Sequence, residues 1–206
     1  MVLVLFCITL ISGAGVGVVN MITVDPIAKA KAEAEQAALA QVLPEFDAIA
    51  DTVVVNEKGD SLLVNKAIKD DQVVGYAIKS SAKGFGGPVK LMVGFDTKGT
   101  IINVNVLEQT ETPGLGTKMA IKGDTIEKPR LVVKNPLLRI NGKLASELDL
   151  RVKKDGGDID ALTAATISSR AYVNAVAQAY SIFKCVAGES EKVEVTTGAT
   201  KQNKEE

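Results

Sequence analysis

The stretch "DIDALTAATISSRAYVNAV", residues 158–176, decides how the chain is read, because it sets an acidic, Gly-flanked loop directly against a helix. Ile167, Tyr172, Val173, Val176, Tyr180 and Phe183 recur at threes and fours, the spacing of an amphipathic helix lying on a sheet. Thr163, Ala164 and Ala165 crowd in front of Thr166, where that helix begins. One reading makes Thr166 a helix cap. The other makes it hold a ligand at the N–H-rich, positive end of the helix.

Composition bounds the choice. A chain of 206 residues, 46% apolar and 24% charged, suffices for one domain of ordinary size and an appendage. Lys+Arg 24 against Asp+Glu 25 leaves a net charge of -1, and aromatics are 4%, so no nucleic-acid partner is expected. There is no histidine, which removes the usual metal ligand and general base, and only Cys7 and Cys185, which cannot form a cluster or a CxxC motif. Any redox chemistry therefore needs an organic cofactor.

Toward the N-terminus, "MVLVLFCITLISGAGVGVVNMITV" carries no charge before Asp25. About 20 apolar residues cross a bilayer core of ~30 Å, so residues 1–24 are read as a transmembrane anchor. A cleaved signal peptide is the alternative, with "AKA" at 28–30 as its small-residue site, but the run is too long and lacks a basic start. Gly13 and Gly17 form a small-xxx-small pair suited to a partner helix. Asp25 as N-cap and Pro26 at the first helical position predict a separate stalk helix over 25–43.

A folded domain is expected over 44–187. "DTVVVN", "SLLVNKAI", "VVGYAIKSSAKG", "PVKLMVGFD" and "TIINVNVLEQT" read as strands, punctuated at Lys58-Gly59-Asp60, Gly84 to Pro88 and Thr97-Lys98-Gly99. The fold class is α+β: the anchor and stalk, then a mixed, partly antiparallel sheet packed with helices. Asn141-Gly142 reads as a turn in a segment that supports neither a long helix nor a clear strand. Residues 188–206 are polar and are expected to form a disordered tail.

After the last strand comes "ETPGLG", residues 111–116. Pro113, Gly114 and Gly116 allow backbone to approach a ligand without a Cβ in the way, although a plain Pro-Gly turn has the same letters. "GFGGPVKLMVGFD", "ETPGLG" and "DALTAAT" with its helix, in that order, resemble the FMN-binding domain of membrane-anchored electron-transport subunits. The likeness is to the G subunits of Rnf ion-translocating ferredoxin:NAD oxidoreductases and, more distantly, the C subunits of sodium-translocating NADH:quinone reductases.

The resemblance implies an FMN whose phosphate is esterified to Thr166 by a flavin transferase that takes it from FAD. Asp160, Thr163, Ala165 and Thr166 fill the transferase pattern, with Asp160 as its recognition residue, while Ala164 stands where glycine is usual. Ile167 flanks the attachment point. Arg170, four residues on, either pairs with the phosphate or is a solvated side chain. Thr112, Gly114, Leu115 and Gly116 are expected to border the flavin ring. No metal and no separate catalytic side chain are expected. "EVTTGAT" in the tail matches the pattern as well, but Thr200 has no helix or sheet behind it.

The function implied is an electron-transfer subunit of a bacterial inner-membrane complex, single-pass in the lipid bilayer, with its flavin domain on the periplasmic side and the other subunits as partners. The rival readings are the equivalent subunit of a sodium-translocating NADH:quinone reductase, a stand-alone flavin reductase module, and a non-redox anchored assembly or sensor protein.

Overall fold

The computed structural model describes residues 1–55, 61–121, 125–128, 131–133 and 135–188. The turn expected at Lys58-Gly59-Asp60 and residues 189–206 of the expected tail, Thr200 included, lie outside them, whereas Gly188 ends a helix. Helix α1 (Val2–Val42) is followed by strands β1 (Ala48–Val55), β2 (Ser61–Lys69), β3 (Gln72–Lys83), β4 (Pro88–Phe95) and β5 (Ile101–Glu108). An irregular stretch then holds a short hairpin, β6 (Thr125–Lys128) with β7 (Leu131–Val133), and helix α2 (Thr166–Gly188) ends the described chain.

The anchor and stalk are one helix, which corrects the break expected at Asp25. Pro26 lies inside α1. Proline removes one N–H but tolerates a helix whose flanks are strong formers, and "AKAKAEAEQAALAQ" supplies them. At 1.5 Å per residue its 41 residues reach about 60 Å, twice a bilayer core. By length and composition α1 is apolar enough to cross a membrane, and no part of its most apolar window is buried. Gly13, Gly15 and Gly17 face open space.

The five strands pair in chain order, every neighbour antiparallel, so the sheet is a meander throughout where the sequence predicts it only in part. Between β2 and β3 the two-residue turn is Asp70-Asp71, at φ 51° and 60°. Both φ values are positive, as a turn matching the right-handed strand twist needs, and Asp tolerates them better than most residues. Between β4 and β5, the Asp96 carboxylate accepts from the N–H of Lys98 at 2.8 Å and of Thr100 at 2.7 Å.

Strand alternation sorts the core onto the two faces of the sheet. Tyr76, Ile78, Leu91, Val93 and Phe95 meet Tyr172, Val176 and Phe183 of α2 on one face. Ala77 and Met92, with Ala67, meet Ala38, Val42 and Leu43 at the end of α1 on the other. Ile167 leaves the predicted stripe: it is exposed, in the first turn of α2. The irregular stretch is tied by Asn135, whose amide donates to the Met119 and Ile121 carbonyls at 3.0 and 3.2 Å. Asn141-Gly142 is the expected turn, Gly142 taking φ 76°.

Candidate functional site

"ETPGLG" leaves the end of β5 and turns at once. Leu115 N–H donates to the Thr112 carbonyl at 3.1 Å, with Pro113 and Gly114 (φ 74°) at the turn's centre. Thr112, Gly114 and Leu115 are exposed, whereas Gly116 is buried. A Cβ on Gly116 would lie 2.6 Å from Ser168 Oγ, so only glycine lets this loop reach the first turn of α2.

Glu111 ties the loops together. It is 4% exposed, its Oε1 accepts from Gly86 N–H at 3.1 Å, and its Oε2 accepts a short hydrogen bond from the Ser168 hydroxyl. One buried carboxylate thus joins the Gly84–Gly87 loop, the Thr112–Gly116 loop and the start of α2. Gly84 and Gly86 press so closely on Glu111 and Thr110 that side chains there would collide. Phe85, Leu115 and Ile167 are neighbours in sequence of residues in this knot. All three are exposed, at 69%, 38% and 49%, and present apolar side chains beside it.

At the helix start, Ala165 precedes the first helical residue and has no hydroxyl with which to cap. Ser169 Oγ accepts from Leu162 N–H and donates to the Ala165 carbonyl, both at 2.9 Å, which ties the preceding loop to the first turn. Thr166, the first helical residue, is half-buried, and its Oγ accepts from Lys154 Nζ at 3.1 Å. Ala164 takes φ 61°, the left-handed region, which is the physical reason for a glycine in the corresponding pattern. Thr163 beside it is exposed.

Arg170 is committed elsewhere. Its Nε and one terminal nitrogen donate to the two oxygens of Asp155, each at 2.7 Å, so it is not a free cation, although its side chain stays exposed to solvent. Hydrogen bonding from Arg170 holds the Asp155 carboxyl below its usual range. Asp160 pairs with Lys153 at 2.8 Å and with Arg139 at 2.8 Å, and hydrogen bonding from Lys153, the larger cause, lowers its pKa too. Sequence reasoning missed Glu111, Ser168, Phe85 and Lys154. For Glu111 the signal is its place at the head of the glycine loop, where a solvated acid has no need to sit.

The chain matches the FMN-binding domain family over residues 84–181, a range that runs from the Gly84 loop into α2. It is 33% identical over 188 residues to the G subunit of the ion-translocating oxidoreductase complex of Shewanella amazonensis, covering 82% of this chain and 80% of that protein. It is 43% identical over 117 residues to the Salmonella typhi protein of the same name, covering 55% and 52%. The chain belongs to the family of ion-translocating oxidoreductase complex G subunits. Among solved structures, the C subunit of the Na(+)-translocating NADH-quinone reductase of Parabacteroides distasonis aligns over 76% of this chain and 83% of its own. The identity is 20% and the TM-score 0.45.

The residues gathered here suit an FMN. A helix start with an uncapped threonine and a nearby ammonium matches a phosphate monoester in charge. Two glycine-bearing loops flanked by exposed apolar side chains match a flat ring system in shape and polarity.

Proposed function

We propose that this chain is the FMN-carrying electron-transfer subunit of a membrane-bound ion-translocating oxidoreductase complex, with the flavin esterified through its phosphate to Thr166. The observation that carries the reading is membership of the G-subunit family across four-fifths of a relative's length, with the FMN-binding match spanning both glycine loops and Thr166. FMN supplies the chemistry: it accepts two electrons and passes them on singly.

The chain's own residues hold and shield it. Thr166 Oγ exchanges its proton for a bond to phosphorus; a flavin transferase breaks the diphosphate of FAD, AMP departs, and the proton passes to solvent. Asp160 is the residue the transferase reads. Thr163 and Ala165, being small, leave space beside Thr166 for the flavin chain, while Thr112, Gly114, Leu115, Gly116 and Ile167 border the ring. Residues 1–24 anchor the chain in the bilayer and 25–43 lift the domain, over 44–187, to the periplasmic side, where it relays electrons between the other subunits of a ferredoxin:NAD oxidoreductase.

Flavin fluorescence of the protein band after denaturing electrophoresis, followed by peptide mass mapping, tests this. With the transferase co-expressed, Thr166→Ala is expected to lose the fluorescence and Thr200→Ala to keep it. Flavin mapped to the tail peptide would overturn the attachment site, and a colourless wild-type protein would overturn the flavoprotein reading.

A further inference from the structure

Three consecutive residues, Lys153, Lys154 and Asp155, each grip a different residue in and around the attachment motif. Lys153 Nζ meets Asp160 at 2.8 Å, Lys154 Nζ meets Thr166 Oγ at 3.1 Å, and Asp155 takes Arg170 in a two-point pair at 2.7 Å. They form a single 3-10 turn, which side-chain chance alone does not align with three partners on one loop and helix start.

The turn is itself held. Lys153 N–H donates to the Ile159 carbonyl at 2.8 Å, Asp155 N–H to the Val152 carbonyl at 2.8 Å, and Gly156 closes the turn in the left-handed region at φ 85°. Beneath it Val152 and Ile159 are buried and bridge each other in parallel. Gly157 cannot be larger, because a Cβ there would strike the Arg151 backbone. The flanking pairs are therefore fixed points, and the exposed Lys154 between them is carried to Thr166 by the backbone.

The charges then separate by role. Arg170 is compensated by Asp155, and Lys153 by Asp160. Among the described residues no salt bridge within 4.0 Å engages Lys154, whose charge only adds to those acting on Asp155, and its hydrogen bond goes to a neutral hydroxyl. A lysine ammonium donating to a hydroxyl at a helix N-terminus is ready for an anion on that oxygen: like the helix dipole, it favours negative charge there.

We propose that Lys154 is the phosphate-binding cation of the attachment site, delivered to Thr166 by the Lys153–Asp155 turn, in the place the sequence offers to Arg170. The inference rests on the reading of Thr166 as the flavin-bearing residue. In attachment, the threonine O–H bond and the P–O–P bond of FAD break, the Thr166 O–P bond forms, AMP leaves with the diphosphate electron pair, and the proton goes to solvent. Lys154 neutralises the non-bridging oxygens during and after that exchange.

The test uses the full chain co-expressed with its flavin transferase, comparing Lys154→Met with wild type and Lys154→Arg. Loss of one charge-assisted hydrogen bond is expected to slow flavin incorporation at Thr166 about tenfold. The ³¹P resonance of whatever phosphodiester forms should also move, while the melting temperature stays put and Lys154→Arg restores both. If wild type carries flavin on Thr166 and Lys154→Met matches it in rate and ³¹P shift, Lys154 is a bystander and the attachment reading stands. If the wild-type Thr166 peptide carries no flavin, the attachment reading falls and this inference with it.

Discussion

The two faces of the sheet are held by different means. On the α2 face the contacts are large and apolar: Phe183 stacks on Phe95 at 5.1 Å and meets Tyr76 edge-on at 5.4 Å, and Tyr172 is fully buried. On the α1 face the buried residues are smaller, with Ala38, Val42, Ala67 and Ala77 around Met92. There the edge is charged, with Lys79 on Glu35 at 2.5 Å and Glu108 between Lys31 and Lys90 at 3.7 and 2.8 Å. A cleft of about 400 Å³ remains between α1 and the sheet, beside Leu107. Burial of large side chains stabilises strongly, whereas half-exposed ion pairs contribute little. Helix α2 is thus part of the folding unit, and the C-terminal end of α1 is a rod docked against it.

Phe183→Ala tests the first half of that contrast and carries the largest expected effect. Truncating a buried aromatic costs about 3–5 kcal/mol, and this one also packs against Gly99 in the β4–β5 turn. Urea unfolding of the full chain in detergent is expected to show that loss in its midpoint. A loss under about 1 kcal/mol would mean that α2 is not integral to the core.

Gly94→Ala tests the second half. The added methyl would lie 2.6 Å from the Val42 carbonyl carbon, backbone against backbone, so α1 must lift from the sheet. Overpacking of this kind costs about 1–3 kcal/mol. Because the α2 face is untouched, the loss is expected to appear as faster proteolysis near Leu43-Pro44 more than as a lower unfolding midpoint. Equal losses in both would make the two faces one cooperative unit.

Ala164→Gly reverses the sign. Alanine at φ 61° pays for a conformation that glycine adopts freely, and the greater freedom of glycine in the unfolded chain offsets part of the gain. The net is about 0.5–1 kcal/mol of stabilisation, read as a raised melting temperature. A destabilised variant would show that the left-handed turn into α2 is not strained.

Much of this architecture is legible from the sequence because alternation and turn letters act locally. The strand segments, Asn141-Gly142 and the α2 stripe at Tyr172, Val176 and Phe183 are all of that kind. Asp70-Asp71 escapes notice because it turns the chain without glycine or proline. Asp25-Pro26 misleads because a proline at a helix start and one tolerated within a helix share the same local letters, and only the length of helix on both sides separates them. Around Thr166 the local motif is visible, but its partners arrive through space. Lys154 is twelve residues away by an irregular turn, and Glu111 is fifty-seven residues from Ser168. No periodicity links such residues, so a side chain chosen by helical spacing alone, Arg170, takes the place of the one that the backbone brings.

The smallest expected effect lies in the Lys79–Glu35 pair, and it is the sharpest measure of how α1 is docked. The two side chains are 34% and 43% exposed, so water screens their attraction, and holding two long side chains in one geometry costs entropy. A double-mutant cycle with Glu35→Ala and Lys79→Ala is expected to give a coupling of about 0.2–1 kcal/mol, shrinking as salt is raised. The same cycle on the α2 face, between Phe95 and Phe183, should exceed it and ignore salt, since aromatic pairs in a dry core carry about 0.5–1.5 kcal/mol beyond their buried area. If the ion pair proves the stronger, or if its coupling is indifferent to salt, then the charged edge is the true attachment of the rod. The small apolar contacts at Ala38 and Val42 would then merely fill the space beneath it.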